Sequence, residues 1–281
     1  MDKSWFTTKK ISKNIYLTRE MNFFEGNRAN IWLIKGPRKD VVIDCGLGVC
    51  NLRQHFEHIG LISPADSVDE KPCDVVCTHV HFDHSGGAHH FDNVFIHEDD
   101  QPGLQHGKVV ETLNYVKSSH FYVKPYPEFS ASSYKVPPTN CRSLSDESCI
   151  DLGDGKELKV IHVPGHTKGS IALYYEPEGA LFSGDFVYEC GHGRNLLDWL
   201  PTSSVPDYVS SAKMMCDWLV NHDVSMVYPG HFELISQQRM QDLLCEYIEA
   251  NSHCCTQVCS LPFKALVTAF FFMGCHHFCP C

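Results

Sequence analysis

The chain is poor in bases, with 23 Lys and Arg against 34 Asp and Glu and a formal charge of -11. Nucleic-acid binding needs a clustered basic surface to track phosphates, so that class of partner is set aside. Long apolar runs are also missing. The longest stretch near the C-terminus, 265–275, has 11 residues, whereas a bilayer span needs about 20. Residues 1–13 hold no apolar run of signal-peptide length, so secretion by that route is not expected. There is no short-period repeat and no low-complexity segment, and residues 251–281 contain neither Asp nor Glu.

What remains is an ordinary globular composition, 43% hydrophobic and 20% charged, with two unusual counts: 18 His and 15 Cys among 281 residues. This length suits one large domain or a domain with a tail. Nine cysteines are scattered through the first 250 residues and, in a chain without a signal, read as reduced thiols. The other six crowd the last 28 residues, where the composition shifts. We therefore place a globular domain at 1–250 and a Cys-rich apolar tail at 251–281.

Short β-branched runs punctuated by turn residues predict strands at 11–18, 29–34, 40–43, 74–80, 157–163, 170–175, 179–183 and 225–228. Amphipathic stretches predict helices at 51–60, 206–220 and 236–251. The pattern implies an α/β protein in which two packed sheets carry helices outside. Residues 113–138 break the rhythm with six aromatics and four prolines, either a lid or binding loop or a surface excursion pinned by its own aromatics.

The strand at 74–80 runs into Thr78-His79-Val80-His81-Phe82-Asp83-His84. On an extended backbone His79 and His81 share a face, and Asp83 and His84 follow in a turn before Gly86-Gly87. Three imidazoles and a carboxylate at a strand end are donors for a divalent cation, best zinc. Further donors end other apolar strands, each next to a glycine: His166 after Gly165, Asp185 after Gly184 and His231 after Gly230. Seven donors exceed one four-coordinate zinc and imply two metals sharing a carboxylate, with room for water.

This ordered set resembles the metallo-β-lactamase superfamily over about residues 10–250. The resemblance implies an αββα sandwich, two mixed β-sheets face to face with helices outside and metals at the rim between them. It assigns His79, His81 and His166 to one zinc, Asp83, His84 and His231 to the other, and Asp185 to the bridge. Asp44, in Val41-Val42-Ile43-Asp44-Cys45-Gly46, matches a supporting residue behind the ligands. The stretches Glu25-Gly26-Asn27-Arg28-Ala29-Asn30 and Leu181–Tyr188, with Leu197-Asp198-Trp199-Leu200-Pro201, resemble a branch of the superfamily that hydrolyses long-chain acyl-coenzyme A and attaches to membranes by S-palmitoylation.

The resemblance implies that a zinc-bridging hydroxide attacks the thioester carbonyl, with Asp83 orienting it and relaying its proton. The candidate acyl-chain contacts are Phe121, Tyr122 and Phe129, and the candidate phosphate contacts are Arg28, Lys117 and Lys124. The same seven donors also serve hydrolysis of small thioesters or lactones, such as hydroxyacylglutathione, and β-lactamase-like activity. A nuclease fits the acidic balance poorly, and an iron dioxygenase would need neither Asp83 nor a second metal. The non-enzyme reading is a membrane-associated scaffold that retains the site. In the tail, Cys254, Cys255 and Cys259 precede an apolar segment containing Phe270-Phe271-Phe272, a setting for S-palmitoylation. Alternatives for the tail are a metal on Cys275, His276, His277, Cys279 and Cys281, or simply reduced thiols. The expected location is intracellular, cytoplasmic with peripheral attachment to the endoplasmic reticulum or plasma membrane.

Overall fold

The computed structural model describes residues 5–64, 67, 71–191 and 195–251. Its first sheet has seven strands in sequence order: β1 (Phe6–Lys10), β2 (Ile15–Glu20), β3 (Ile31–Lys35), β4 (Asp40–Ile43), β5 (Cys73–Val76), β6 (Val94–His97) and β7 (Arg142–Leu144). Strands β1 to β4 pair antiparallel and β4 to β7 parallel. The second sheet runs β12 (Met226–Pro229), β11 (Ala180–Gly184), β10 (Ile171–Tyr175), β9 (Lys156–His162), β8 (Cys149–Gly153). Only its β11–β12 pair is parallel, so both sheets are mixed, as expected.

Alternation along the strands sorts the core into three layers. Ile15, Leu17, Trp32, Ile34, Val41 and Ile43 face the second sheet and meet Leu158, Val160, Leu173, Tyr175 and Phe182. The opposite face of the first sheet, with Ile31, Leu33, Val42 and Val75, packs on Leu52 and Phe56 of α1 (Leu52–His58). The outer face of the second sheet, with Ala172, Tyr174, Leu181 and Val227, is covered by α5 (Val205–Val220) and α6 (Gln237–Asn251). Three single or short turns of helix, α2 (Phe82–Ser85), α3 (Gln101–His106) and α4 (Val109–Thr112), complete the helical layer on the first sheet's side. This is the αββα sandwich.

Local chemistry explains the long helices. Ser204 caps α5 by accepting from the Asp207 N–H, with Pro206 in the first turn. Tyr208, Ala212, Met215 and Leu219 then fall on one buried stripe. Trp32 is 2% exposed between the sheets, and truncating such a side chain to Ala typically costs about 3–5 kcal/mol.

Four strands were passed over in reading the sequence. β1 buries only Phe6 of its five residues and β7 only Leu144 of its three, whereas Val94–His97 and the alternating Ile150 and Leu152 of β8 are apolar runs that this reading missed. The expected strand at 11–18 starts late, at Ile15, because residues 11–14 form the turn from β1. The expected strand at 74–80 ends at Val76. Residues 78–81 bend away instead, so His79 and His81 do not share the face of an extended strand. The expected tail, with Cys254, Cys255 and Cys259, lies outside the described residues.

Candidate metal centre

The seven donors assigned to a metal pair emerge at one rim. β5 leads to the loop carrying His79 and His81, and the single turn α2 carries Asp83 and His84. β9, β11 and β12 lead to His166, Asp185 and His231. These three strands share a direction, since β9 and β11 both oppose β10 and β12 parallels β11. The loops are tied across the two sheets by backbone bonds, including Ile171 N–H to Thr78 O at 2.9 Å and Asn30 N–H to Gly230 O at 2.6 Å.

The donors form contiguous trios. Donor atoms of His79, His81 and His166 lie within 4.8 Å of one another, as do those of Asp83, His84 and His231, and those of His79, His84 and Asp185. Asp185 Oδ2 stands between the first two trios, 3.6 Å from His166 Nε2 and 3.3 Å from His231 Nε2. All seven residues are buried. Among the described residues, His79 Nε2 and Asp185 Oδ1 are two of the buried side-chain polar atoms without a hydrogen-bond partner. Buried polar atoms are rarely left so, and both belong to the trio that a cation would satisfy. The residues therefore fit a pair of divalent cations.

Electrostatics agree. Burial, reinforced by neighbouring imidazoles, pushes His79 and His81 well below the ordinary histidine value, and burial lowers His166 as well. Neutral imidazole is the form that binds metal. Burial opposes charge on His84 too, but Asp185, Asp44 and Asp83 override it and raise that group well above its ordinary value. Burial would raise Asp185, yet His231 and His84 hold it well below the usual carboxylate range. Burial raises Asp83 against the pull of His84 and His231.

Each imidazole is oriented from behind. His84 Nδ1 donates to Asp44 Oδ2 at 2.8 Å, His166 Nδ1 to Leu197 O at 3.0 Å and His231 Nδ1 to Arg28 O at 3.1 Å. These partners leave Nε2 of each ring as the lone pair facing the centre. His81 is reversed: Nε2 meets Thr202 Oγ1 at 2.9 Å, and Nδ1 faces His166 Nε2 at 2.9 Å. Asp100 supports two loops at once, accepting from Val80 N–H (3.0 Å), Gly169 N–H (3.1 Å) and Thr167 Oγ1 (2.6 Å). Sequence reasoning passed over Thr202 and Asp100. Asp100 follows β6 as Asp185 follows β11, a signal that reading 94–97 as a strand would have exposed.

Glycines permit the close approach. A Cβ on Gly165, whose φ is +147°, would sit 2.5 Å from Tyr208 Cγ, and one on Gly230 would collide with Asp185 Oδ1.

The insertion at 113–138 is docked. Phe23 and Phe121 form a β-bridge, Tyr122 N–H bonds Asn22 O at 2.9 Å, and Tyr134 OH donates to Leu47 O at 2.8 Å and Phe82 O at 3.3 Å. Phe129 is buried and Phe121 half-buried, and they pack on each other, with Phe121 also against Phe23. Tyr122 is 58% exposed. Arg28 donates to Phe23 O at 2.8 Å, so its guanidinium is engaged by the loop that carries it. Lys117 and Lys124 are exposed on the insertion. The structure thus gathers the seven donors and Asp44 at one point and leaves the six substrate candidates dispersed along the insertion and the 21–30 loop.

A four-layer sandwich with this rim of imidazoles and carboxylates is the metallo-β-lactamase fold. The sequence profile of the Metallo-beta-lactamase superfamily matches residues 25–231, and the chain belongs to that superfamily. Acyl-coenzyme A thioesterase MBLAC2 of Gallus gallus is 38% identical to it over 251 residues, 89% of each chain. The Homo sapiens protein of the same name is 35% identical over 268 residues, 94% of each chain. Among solved structures, a metallo-beta-lactamase family protein from Thermus thermophilus superposes with a TM-score of 0.60 at 20% identity, over 87% of this chain and 81% of its own. Among the described residues, no helix is long and apolar enough to cross a membrane.

Proposed function

We propose that this chain is a two-zinc hydrolase of acyl-coenzyme A thioesters, with a preference for long acyl chains. The observation that carries the hydrolase reading is the convergence of seven buried donors with His79 Nε2 and Asp185 Oδ1 unpartnered. The relatives named acyl-coenzyme A thioesterases, alike over nine-tenths of the chain, support the substrate class.

His79, His81 and His166 would hold one zinc, Asp83, His84 and His231 the other, and Asp185 both. Bound there, the pair supplies a water acidified towards neutrality and a Lewis acid for the substrate carbonyl. Asp83 would take the proton of the attacking water; its Oδ2 lies 3.5 Å from His231 Nε2. As the new C–O bond forms and the C–S bond breaks, that proton passes to the departing sulfur. A thiol leaves readily because its pKa is about 8.5, so no strong acid is required.

Met21, Tyr122, Val123 and Tyr126 expose apolar surface on the insertion and the loop stitched to it. That loop also carries the Arg28 carbonyl that orients His231. The position supports an acyl-chain path along Tyr122, with Phe121 and Phe129 shaping it from beneath. Lys117 and Lys124 are the candidates for the coenzyme A phosphates. Acylation at Cys254, Cys255 or Cys259 would hold the enzyme on a cytoplasmic membrane face, and hydroxylamine should then release it.

The decisive comparison is Asp185→Ala against wild type on palmitoyl-coenzyme A, with zinc quantified in both proteins. Loss of turnover together with loss of zinc is expected, whereas equal rates would falsify the mechanism. Faster turnover of S-lactoylglutathione than of palmitoyl-coenzyme A by the wild type would move the substrate to small thioesters.

A further inference from the structure

The outer face of the second sheet carries a seam between two helices that the proposed chemistry does not use. α5 and α6 lie side by side there and share one buried cluster, with Ala212, Met215 and Leu219 from the first and Met240, Leu243 and Leu244 from the second. Two further contacts cross the seam. The Tyr208 and Tyr247 rings stand 5.4 Å apart, and Gln237 Nε2 donates to Leu219 O at 3.0 Å. Cys216, in the helical turn after Ala212, is half-buried against the same cluster. Cys245, which follows Leu244, is exposed. The two thiols meet across the seam, joined by a hydrogen bond.

The surroundings sort the roles of the two sulfurs. Burial and the neighbouring Cys245 sulfur push the Cys216 thiol up to about 11, so it keeps its proton at neutral pH. Cys245 is open to solvent, so a small oxidant meets it first. Among the described residues Cys45 also meets Cys77, but both of those thiols are buried and shielded from oxidants in solvent.

We propose that Cys216 and Cys245 form a redox pair that closes into a disulfide between α5 and α6, with hydrogen peroxide as the oxidant. The Cys245 thiolate attacks one peroxide oxygen and the O–O bond breaks. This leaves a sulfenic acid on Cys245 and a hydroxide, which the proton lost from Cys245 converts to water. The Cys216 sulfur then attacks the Cys245 sulfur. The S–S bond forms, the S–O bond breaks, and the Cys216 proton leaves with that oxygen as a second water. Two thiols have lost two electrons, one peroxide has become two waters, and a reducing dithiol reverses the change. The crosslink stiffens the backing of the rim without touching a donor. Tyr208 of α5 donates to Asp185 O at 2.9 Å, and Tyr247 of α6 donates to Asp198 Oδ2 at 2.9 Å, beside the Leu197 carbonyl that holds His166. Nothing in this assignment depends on the substrate or on how many ions fill the rim.

The test follows both sulfurs in the full-length protein. Reduced protein is exposed to hydrogen peroxide at neutral pH, alkylated, and mapped by mass spectrometry with and without a dithiol. Cys216 and Cys245 are expected to lose alkylation together, their peptides to appear joined, and the dithiol to restore both. In Cys245→Ser, a change at an exposed position, Cys216 should stay alkylatable after the same treatment. Measured in chelator, oxidised wild type should unfold about 5–10 °C above reduced wild type, a rise absent from Cys245→Ser. Cys216 still alkylatable in oxidised wild type overturns the proposal, as does Cys245 joined to a cysteine of the 251–281 tail in place of Cys216.

Discussion

Asp44 Oδ2 receives His84 Nδ1 at 2.8 Å while the same carboxylate accepts the Thr78 N–H at 2.7 Å and the Thr78 hydroxyl at 2.9 Å. One buried side chain thus sets the tautomer of a candidate ligand and ties the end of β4 to the loop after β5. It does so from a left-handed backbone, φ +60°, which Asp and Asn tolerate better than other non-glycine residues.

Asp44→Asn keeps that backbone but offers an amide N–H to His84 Nδ1. The ring should then carry its proton on Nε2, the nitrogen that faces Asp185. Zinc affinity is expected to fall about 10–100-fold, read by competition with a chromophoric chelator. Unchanged affinity would remove Asp44 from the support of His84.

Thr202→Val keeps the shape but removes the acceptor for His81 Nε2 and the hydroxyl that donates to His166 O at 3.2 Å. Losing the acceptor of a buried imidazole costs about 1–3 kcal/mol. We expect zinc binding weaker by about tenfold or more, with Thr202→Ser restoring most of it. If Ser and Val behave alike, the hydroxyl is not what positions His81.

Glu20 gives a pH-dependent signature. It is 1% exposed, bonded to Trp5 Nε1–H and Leu47 N–H at 2.9 Å each, and burial raises its pKa from 4.5 to about 7. The folded state therefore holds a proton that the unfolded state has released between pH 4.5 and 7, and stability must fall as pH rises through that window. The loss approaches about 3 kcal/mol above pH 7. In Glu20→Gln the decline should be absent, leaving a smaller, pH-independent cost from one misplaced N–H. Denaturant unfolding of both proteins at pH 5 and pH 7.5 measures the difference, and parallel pH profiles would contradict it.

Gly165→Ala should be destabilising. Its Cβ would meet Tyr208 Cγ, Cα and Cβ at 2.5–2.7 Å, and Tyr208 cannot retreat freely because its hydroxyl donates to Asp185 O and Phe186 O at 2.9 Å each. Overpacking and a strained φ together cost about 2–4 kcal/mol. Thermal unfolding in chelator reports the cost apart from any effect on zinc.

Two packed sheets with helices outside were legible from local evidence, β-branched runs and amphipathic stretches, while the αββα class followed from the family resemblance carried by the dense run of donors. The strands at Phe6–Lys10 and Arg142–Leu144 were not, since each buries a single residue and owes its conformation to a neighbouring strand. The helical turn at Phe82–Ser85 was hidden for a similar reason. It is built by Ser85 and Gly86 bonding back to the His81 and Phe82 carbonyls, and by Cys45 N–H reaching His84 O at 2.7 Å.

Residue identity alone determined the kind of chemistry available, because imidazole and carboxylate are metal donors wherever the chain puts them. Only tertiary structure decided which nitrogen each ring presents, since that depends on a partner brought from elsewhere: Asp44 for His84, Leu197 for His166, Thr202 for His81. The stacking of the His97 and His162 rings, 65 positions apart and on different sheets, belongs to the same category. It exists because two sheets with their own strand orders end at the same height, a relation that sequence spacing does not encode.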